Sequence, residues 1–197
     1  MTSPGARALG VAESYRADDE RSVLCGAVVR ADRVADGFAF AECTVGGTDA
    51  TDAVASLVAA LGREDVRHLL LAGVAPAWYN LFDLRALHAR VDRPVLSVSF
   101  EDSPGLEPAL REAFDGAALA ERLDAYRSLP PRRPVETPAG RLFVRAVGVD
   151  DPTAAEVVRS HVTEGTRRPE PLRVARLAAR AARAFRADVR GTDAAPE

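Results

Sequence analysis

Three strand-like segments follow one another within the first 45 residues, and only short polar turns separate them. Residues 7–15 and 22–30 are largely apolar, and residues 37–45 alternate apolar and polar side chains as a half-buried strand does. Because the connecting turns are short, neighbouring segments are expected to pair antiparallel. The start of the chain therefore predicts a meander of three strands in one sheet.

Helical and strand-like segments alternate after the meander. Thr48 is suited to cap a helix that Gly62 ends, and residues 66–74 form a near-continuous apolar run typical of a central parallel strand. The later segments predict a helix at 80–90, a strand at 94–100, helices at 105–114 and 116–128, a hairpin at 135–147, and helices at 152–163 and 169–187. This order predicts an α/β fold, one mixed sheet with helices on its faces, and it fits the ribonuclease H-like fold. Residues 1–190 are predicted to form a single domain, and 191–197 a flexible tail.

Composition excludes several classes of protein. Hydrophobic residues make up 47% of the 197 residues, which is too many for a disordered chain. The net charge of -3 does not favour a basic protein that wraps nucleic acid, so any such contact needs a local basic patch. The most apolar stretch, 69–78, is far shorter than the roughly 20 residues of a membrane span. A cytoplasmic protein with no membrane partner is expected.

Four segments, in this order and spacing, resemble one family. They are GVAESY at 10–15, GGTDAT at 46–51, LLLAGVAPAWYNLFDLRALH at 69–88 and RRPEPLRVARLAA at 167–179. Together they resemble the archaeal endonuclease-dU-like family, which was long catalogued as a domain of unknown function and is similar to endonuclease V. The resemblance covers roughly residues 7–187. It implies a ribonuclease H-like fold and metal-assisted cleavage of nucleic acid near deaminated bases, with carboxylates converging on Mg²⁺.

Two of the carboxylates that the resemblance implies are missing. The family's first strand ends in Gly, a hydrophobic residue and two Asp, whereas here Ala12 and Glu13 follow Gly10 and Val11. The fourth strand ends in Leu-Asp-Gly in the family, and Ala72 stands at the Asp position. On the last helix Arg176 occupies the position of a further metal ligand. Ala12 and Ala72 are therefore interpreted as degenerate metal positions, and no metal ligand set is predicted.

Acidic side chains that could still serve catalysis are Glu13 and Asp49, with Glu42 as a further candidate. Successive residues of a strand face opposite sides, so Glu13 can replace an acid at position 12 only if the strand has already ended. Asp49 belongs to a segment that carries the resemblance, but a carboxylate near a helix start also complements the helix dipole. For Asp52 this structural interpretation is favoured.

Candidate nucleic-acid or anion contacts lie in a loop and on the last helix. Trp78, Tyr79 and Asn80 follow the fourth strand, where aromatic rings could stack on bases or simply pack. A basic stripe recurs at helical spacing at Arg173, Arg176, Arg180 and Arg183, and could contact phosphates or be a solvated face. A separate apolar stripe is predicted at Val174, Leu177, Ala178, Ala181 and Phe185.

Three hypotheses for the function follow from these residues. The favoured one is an endonuclease-like protein with a degenerate metal site that binds DNA or RNA through the basic stripe and the loop at 75–80. The second is an active Mg²⁺-dependent endonuclease acting at deaminated bases through Glu13 and Asp49. The third is a non-catalytic module for a small anion or a protein, in which Arg176 faces Ala12 and Ala72. No cofactor is expected unless activity is retained, when it would be Mg²⁺. The oligomeric state is left open.

Overall fold

The computed structural model describes residues 7–163 and 165–193. One seven-stranded mixed sheet runs through it in the order β3-β2-β1-β4-β5-β7-β6. Its strands are β1 (Arg7–Ser14), β2 (Arg21–Arg30), β3 (Ala35–Thr44), β4 (Val66–Ala72), β5 (Val95–Ser99), β6 (Arg133–Thr137) and β7 (Gly140–Val147). The helices are α1 (Ala50–Leu61), α2 (Pro76–Tyr79), α3 (Leu84–Val91), α4 (Glu107–Ala113), α5 (Gly116–Arg127), α6 (Asp151–His161) and α7 (Glu170–Asp193).

The meander and the central parallel strands are as predicted. β1 pairs antiparallel with β2, and β2 pairs antiparallel with β3. On its other side β1 runs parallel to β4, which runs parallel to β5. The carboxyl ends of β1, β4 and β5 therefore meet at one edge of the sheet, where open α/β sheets place their ligand sites.

Helices cover both faces of the sheet. Side chains of α1 and α3 pack with Leu9, Val11 and Leu71 on one face, which we call the α1 face. On the opposite face, called the α7 face, Ala8 and Leu70 pack against α6 and the start of α7. None of the helices in the described ranges combines the length and apolar character needed to cross a membrane.

Helix α7 lies very close to β1 because Gly10 has no side chain. A Cβ at Gly10 would sit 2.3 Å from the carbonyl carbon of Pro171, far inside van der Waals contact. Gly10 and Pro171 belong to two of the segments that carry the family resemblance. Their close contact explains both residues by packing alone. The side of α7 that lies on the sheet buries Leu172, Ala175 and Ala179.

The predicted apolar stripe of α7 is wrong except at Val174, which packs with Ala12 and Ala175. Leu177 is 53% exposed and Phe185 is 71% exposed, whereas the buried face is that of Leu172, Ala175 and Ala179. Periodicity favoured Leu177 and Phe185, but the close contact of Pro171 with Gly10 turns the other face of the helix toward the sheet. The helix continues through 191–193, which the sequence assigned to the tail, and the rest of that predicted tail lies outside the described residues.

Candidate functional site

Positions 12 and 72 lie side by side on the α7 face. Val11 of β1 pairs with Leu71 of β4 in the parallel ladder. Ala12 and Ala72 are the next residues of these two strands, so they are neighbours at the carboxyl end of the pair. Ala12 is 3% exposed and packs with Ala175 of α7, and Ala72 packs against the same cluster. The two positions thus share one small apolar site beneath α7.

Arg176 brings a positive charge to this site. It directly follows Ala175 on α7 and lines, together with Ala72, a pocket at the ends of β4 and β5. Among residues 7–163 and 165–193, Arg176 has no carboxylate within ion-pair distance. A unit charge about 4 Å from another is worth roughly 4 kcal/mol at an effective dielectric near 20, so Arg176 repels a cation here.

The side chains at this site do not fit Mg²⁺. Mg²⁺ requires oxygen ligands, and the site offers two methyl groups and a guanidinium. Within the described part of the chain, no group of three or more His, Cys, Asp or Glu is placed to hold a metal ion.

Glu13 points to the other face of the sheet. β1 continues to Ser14, so Glu13 alternates with Ala12 and joins the α1 face, where its Oε2 accepts a hydrogen bond of 3.0 Å from the Ser22 hydroxyl. The backbone N–H of Ala77 also donates to this carboxylate. Burial raises the pKa of Glu13 above its ordinary value, although these two donors and the charge of Arg176 act in the opposite direction.

Asp49 is held by the fold itself. Its carboxylate accepts from the Thr44 backbone N–H at 2.9 Å, the Thr44 hydroxyl at 2.8 Å and the Asn80 side-chain amide at 2.7 Å. Arg21 lies 3.5 Å away. Burial works to raise the pKa of Asp49, but these hydrogen bonds hold it below its ordinary value. Asp49 therefore joins the end of β3 to the start of α1.

Asn80 is fully buried and completes this connection. Its Nδ2 donates to the Thr44 carbonyl at 2.8 Å as well as to Asp49, and its Oδ1 accepts from the Ala50 N–H at 2.9 Å. All of its polar atoms are engaged inside the protein, which leaves no surface for a nucleic acid to contact. The only Asn of the chain is thus a connector between β3, α1 and α2.

The loop after β4 contains an unusual backbone. Ala77, Trp78 and Tyr79 have φ values of 47°, 55° and 62°, so α2 is a left-handed turn of three non-glycine residues. Each such residue costs roughly 1–2 kcal/mol. The turn is held by backbone hydrogen bonds, in which the Gly46 N–H donates to the Ala77 carbonyl at 2.7 Å and the Asn80 N–H donates to the Pro76 carbonyl at 3.0 Å.

The aromatic side chains of this turn are partly available to solvent. Trp78 is 46% exposed, and its ring lies 4.9 Å from that of Phe114 between centroids. Tyr79 contacts the edge of the same Phe114 ring at 6.0 Å. Trp78 therefore presents part of a fixed ring near the end of β1.

The predicted basic stripe divides into engaged and available residues. Arg173 pairs with Glu170 at 2.6 Å, and the Arg183 Nε donates to the Ser14 hydroxyl at 3.1 Å. Arg176 and Arg180 have no ion pair within the described ranges, and they line a groove with Glu13, Ser14, Tyr15 and Ala17. We call this the β1 groove. Glu42, the third acidic candidate, pairs with Arg186 and lies 3.7 Å from Arg21.

A family model and proteins of related sequence match most of the chain. A family model described as Endonuclease dU matches residues 4–183. A UPF0215 protein of Pyrobaculum aerophilum is 37% identical over 179 residues, which cover 90% of this chain and 94% of the relative. A UPF0215 protein of Thermococcus kodakarensis is 35% identical over 170 residues, covering 85% of each chain.

Solved structures show the same fold. A protein of unknown function from Archaeoglobus fulgidus superposes with a TM-score of 0.76 at 24% identity, covering 89% of this chain and 96% of the other. Endonuclease V of Bacillus subtilis gives 0.59 at 13% identity, covering 94% and 83%. Endonuclease V of Ciona intestinalis, in complex with an inosine-containing DNA, gives 0.58 at 15% identity, covering 89% and 85%. The prediction of a ribonuclease H-like fold is confirmed.

Proposed function

The chain belongs to the endonuclease dU family, and we propose that it is a nucleic-acid-binding member without a catalytic metal site. The observation that carries the proposal is the position of Arg176 beside the neighbouring methyl groups of Ala12 and Ala72. A site of this composition repels a divalent cation and attracts a phosphate.

The β1 groove supplies the binding surface. Arg176 and Arg180 are one turn apart on α7, and no carboxylate in the described part of the chain pairs with them. Arginine contacts to the phosphate backbone give affinity that does not depend on sequence and that falls with salt. The Ciona endonuclease V, which has the same fold, was solved with DNA bound, and this supports a nucleic acid as the ligand.

Trp78 lies outside the lining of the β1 groove, near the end of β1, and in this proposal it offers a separate stacking surface. Its ring is fixed by Phe114 and by the left-handed turn, so little side-chain entropy is lost when a base stacks on it. A base stacked on an aromatic side chain is worth about 1–3 kcal/mol. In this proposal Asn80 holds the turn and does not touch the ligand.

Fluorescence anisotropy of a labelled oligonucleotide in EDTA tests the proposal. Deoxyuridine- or inosine-containing single strands should bind, and the affinity should fall steeply with salt. Arg176→Ala combined with Arg180→Ala should weaken binding roughly tenfold and lower the salt slope by about 1–2.

Arg67→Ala is the matched control. Arg67 is exposed at the amino end of β4, the opposite edge of the sheet, and its removal changes the net charge without touching the groove. Equal binding by the control and the double variant would contradict the proposal, as would binding that does not depend on salt.

A further inference from the structure

A second cavity lies beside the β1 groove, at the carboxyl ends of β4 and β5. Its volume is about 330 Å³, and we call it the β4–β5 pocket. It is bounded by the turn after Ala72, by Ser97 and Ser99 of β5, by part of the segment after β5 (Phe100, Glu101, Ser103, Gly105 and Leu106) and by Tyr126 of α5. Ligand pockets start at roughly 300 Å³, so this one is the size for a small molecule or a single nucleotide.

Four arginines line this pocket: Arg132, Arg145, Arg168 and Arg176. Within residues 7–163 and 165–193, none of them has a carboxylate at ion-pair distance, whereas many arginines elsewhere do. Glu101 is the one acidic residue on the lining, and its backbone carbonyl accepts from Arg132. In a chain with net charge -3, this is a local concentration of unpaired positive charge.

Two of the arginines are fixed in place by the protein. Arg132 donates to the Ser103 carbonyl at 3.0 Å and lies 3.9 Å from the centre of the Phe143 ring. Arg145 donates to the Pro130 carbonyl and lies 5.4 Å from the Tyr126 ring. These contacts engage only some of the N–H groups of each guanidinium. The remaining N–H groups are already oriented, so little further side-chain entropy is lost when they bind a ligand.

Arg168 completes the cationic lining from the α7 face. Its guanidinium lies 4.2 Å from the centre of the Phe100 ring. Burial lowers the pKa of Arg168, and the charges of Arg176 and Arg180 lower it further. Burial likewise lowers the pKa of Arg145. An anion in the pocket would relieve both effects, because a nearby negative charge favours the protonated guanidinium.

Ser97 adds a hydroxyl to the lining. The residue is 3% exposed, it lines the pocket, and no described residue forms a hydrogen bond to its hydroxyl. This oxygen is not among the fully buried side-chain atoms that lack a partner, so it is open to the pocket. It is therefore free to donate to an acceptor oxygen of a ligand there.

We propose that the β4–β5 pocket binds a phosphomonoester, either the terminal phosphate of a nucleic-acid strand or a nucleoside monophosphate. A phosphomonoester carries close to two negative charges at neutral pH and three terminal oxygens, which suits several arginines and a hydroxyl. A phosphodiester inside a strand carries one charge. This inference goes beyond the proposed function, because the β1 groove can bind internal phosphates while the pocket is empty.

Calorimetric titration of adenosine 5′-monophosphate, with adenosine as the comparison at matched ionic strength, tests the inference. The monophosphate should bind and adenosine should not. Ser97→Ala and Arg168→Gln should each weaken binding roughly tenfold. Ser97→Ala removes one unpartnered hydroxyl, so a folded protein is expected, and circular dichroism checks this.

Arg133→Gln is the control for charge, because Arg133 is exposed, adjacent to Arg132 and paired with Asp151. Its binding should equal that of the unaltered chain. Absence of monophosphate binding, equal heats from adenosine, or binding that Ser97→Ala and Arg168→Gln leave unchanged would overturn the proposal.

Oligonucleotides with 5′-phosphate and 5′-hydroxyl ends distinguish the two sources of the ligand. Tighter binding of the phosphorylated strand, lost in Ser97→Ala, assigns the pocket to strand ends, and binding of the monophosphate alone assigns it to free nucleotides. Arg180→Ala separates this inference from the proposed function. Arg180 lines the β1 groove and is not part of the pocket lining, so its removal should weaken strand binding much more than monophosphate binding.

Discussion

At the carboxyl end of β1, the two faces of the sheet differ in charge. On the α7 face, Ala12 and Ala72 lie together beside Arg176, which no described carboxylate pairs with. On the α1 face, Glu13 and Asp49 keep their carboxylates, and each accepts hydrogen bonds from the protein's own groups. Ala12 and Glu13 are consecutive residues of β1, and consecutive residues of a strand face opposite sides of the sheet.

This difference shows that the presence of an acid does not establish a metal ligand. Glu13 accepts from the Ser22 hydroxyl of β2, and Asp49 joins β3 to α1. Both carboxylates act within the fold. The available charge of the site is positive, and it lies on the α7 face and in the two cavities that Arg176 lines.

The largest effect is expected when carboxylates are placed on the α7 face. Ala12→Asp combined with Ala72→Asp should destabilise the protein by about 3–5 kcal/mol, because two carboxylates would be buried beneath α7 with only Arg176 beside them. If the missing carboxylates at positions 12 and 72 are what prevents metal binding, Mn²⁺ should bind this variant and raise its melting temperature by mass action. Differential scanning fluorimetry measures both effects.

The unaltered chain is the control for the double aspartate variant. Its melting temperature should not respond to Mn²⁺. An equal rise in both proteins would show that the cation binds elsewhere, and it would remove the contrast between the two faces.

The second prediction concerns the α1 face. Asp49→Asn should lower the free energy of unfolding by about 1–3 kcal/mol, since the amide nitrogen in place of Oδ2 cannot accept from the Thr44 hydroxyl or pair with Arg21. The pKa of Asp49 is below that of the unfolded chain, so its contribution is present above pH 3.8 and is lost as the pH falls through the folded pKa. The loss in the variant should therefore shrink in acid.

Asp52→Asn is the matched control on the same helix. The Asp52 side chain is 73% exposed and forms a surface pair with Arg90. Its replacement should change stability by no more than about 0.5 kcal/mol in urea unfolding. Similar losses in the two variants would contradict the assignment of Asp49 as a structural anchor.

The smallest effect is expected at Glu13. Its folded pKa is raised above 4.5, so its contribution to stability is complete below pH 4.5 and is lost as the pH rises through the folded pKa. Gln does not titrate, so the Glu13→Gln variant does not show this loss of stability. The stability of the variant relative to the unaltered chain should therefore increase with pH across that window, and a constant difference would show that Glu13 does not titrate as proposed.

Much of the fold could be predicted because the apolar patterns are strong. The three meandering strands, the central strand after Val66 and the final helix all lie where the sequence indicates. The neighbouring positions of Ala12 and Ala72 follow from the parallel pairing of β1 and β4. The opposite orientation of Glu13 follows from strand alternation.

The remaining features depend on tertiary contacts that no local pattern reveals. The burial of Asn80 and the positive φ of Trp78 arise where three elements meet. The buried side of α7 is set by its contact with Gly10. The β4–β5 pocket joins Arg132, Arg145 and Ser97, which are distant in sequence and belong to no motif.

Incubation of a deoxyuridine- or inosine-containing strand with the full chain, in Mn²⁺ and in EDTA, tests the central claim most directly. We expect binding in both buffers and no strand cleavage in either. Cleavage that requires Mn²⁺ and disappears in Glu13→Gln would contradict it, because the carboxylates of the α1 face would then serve catalysis.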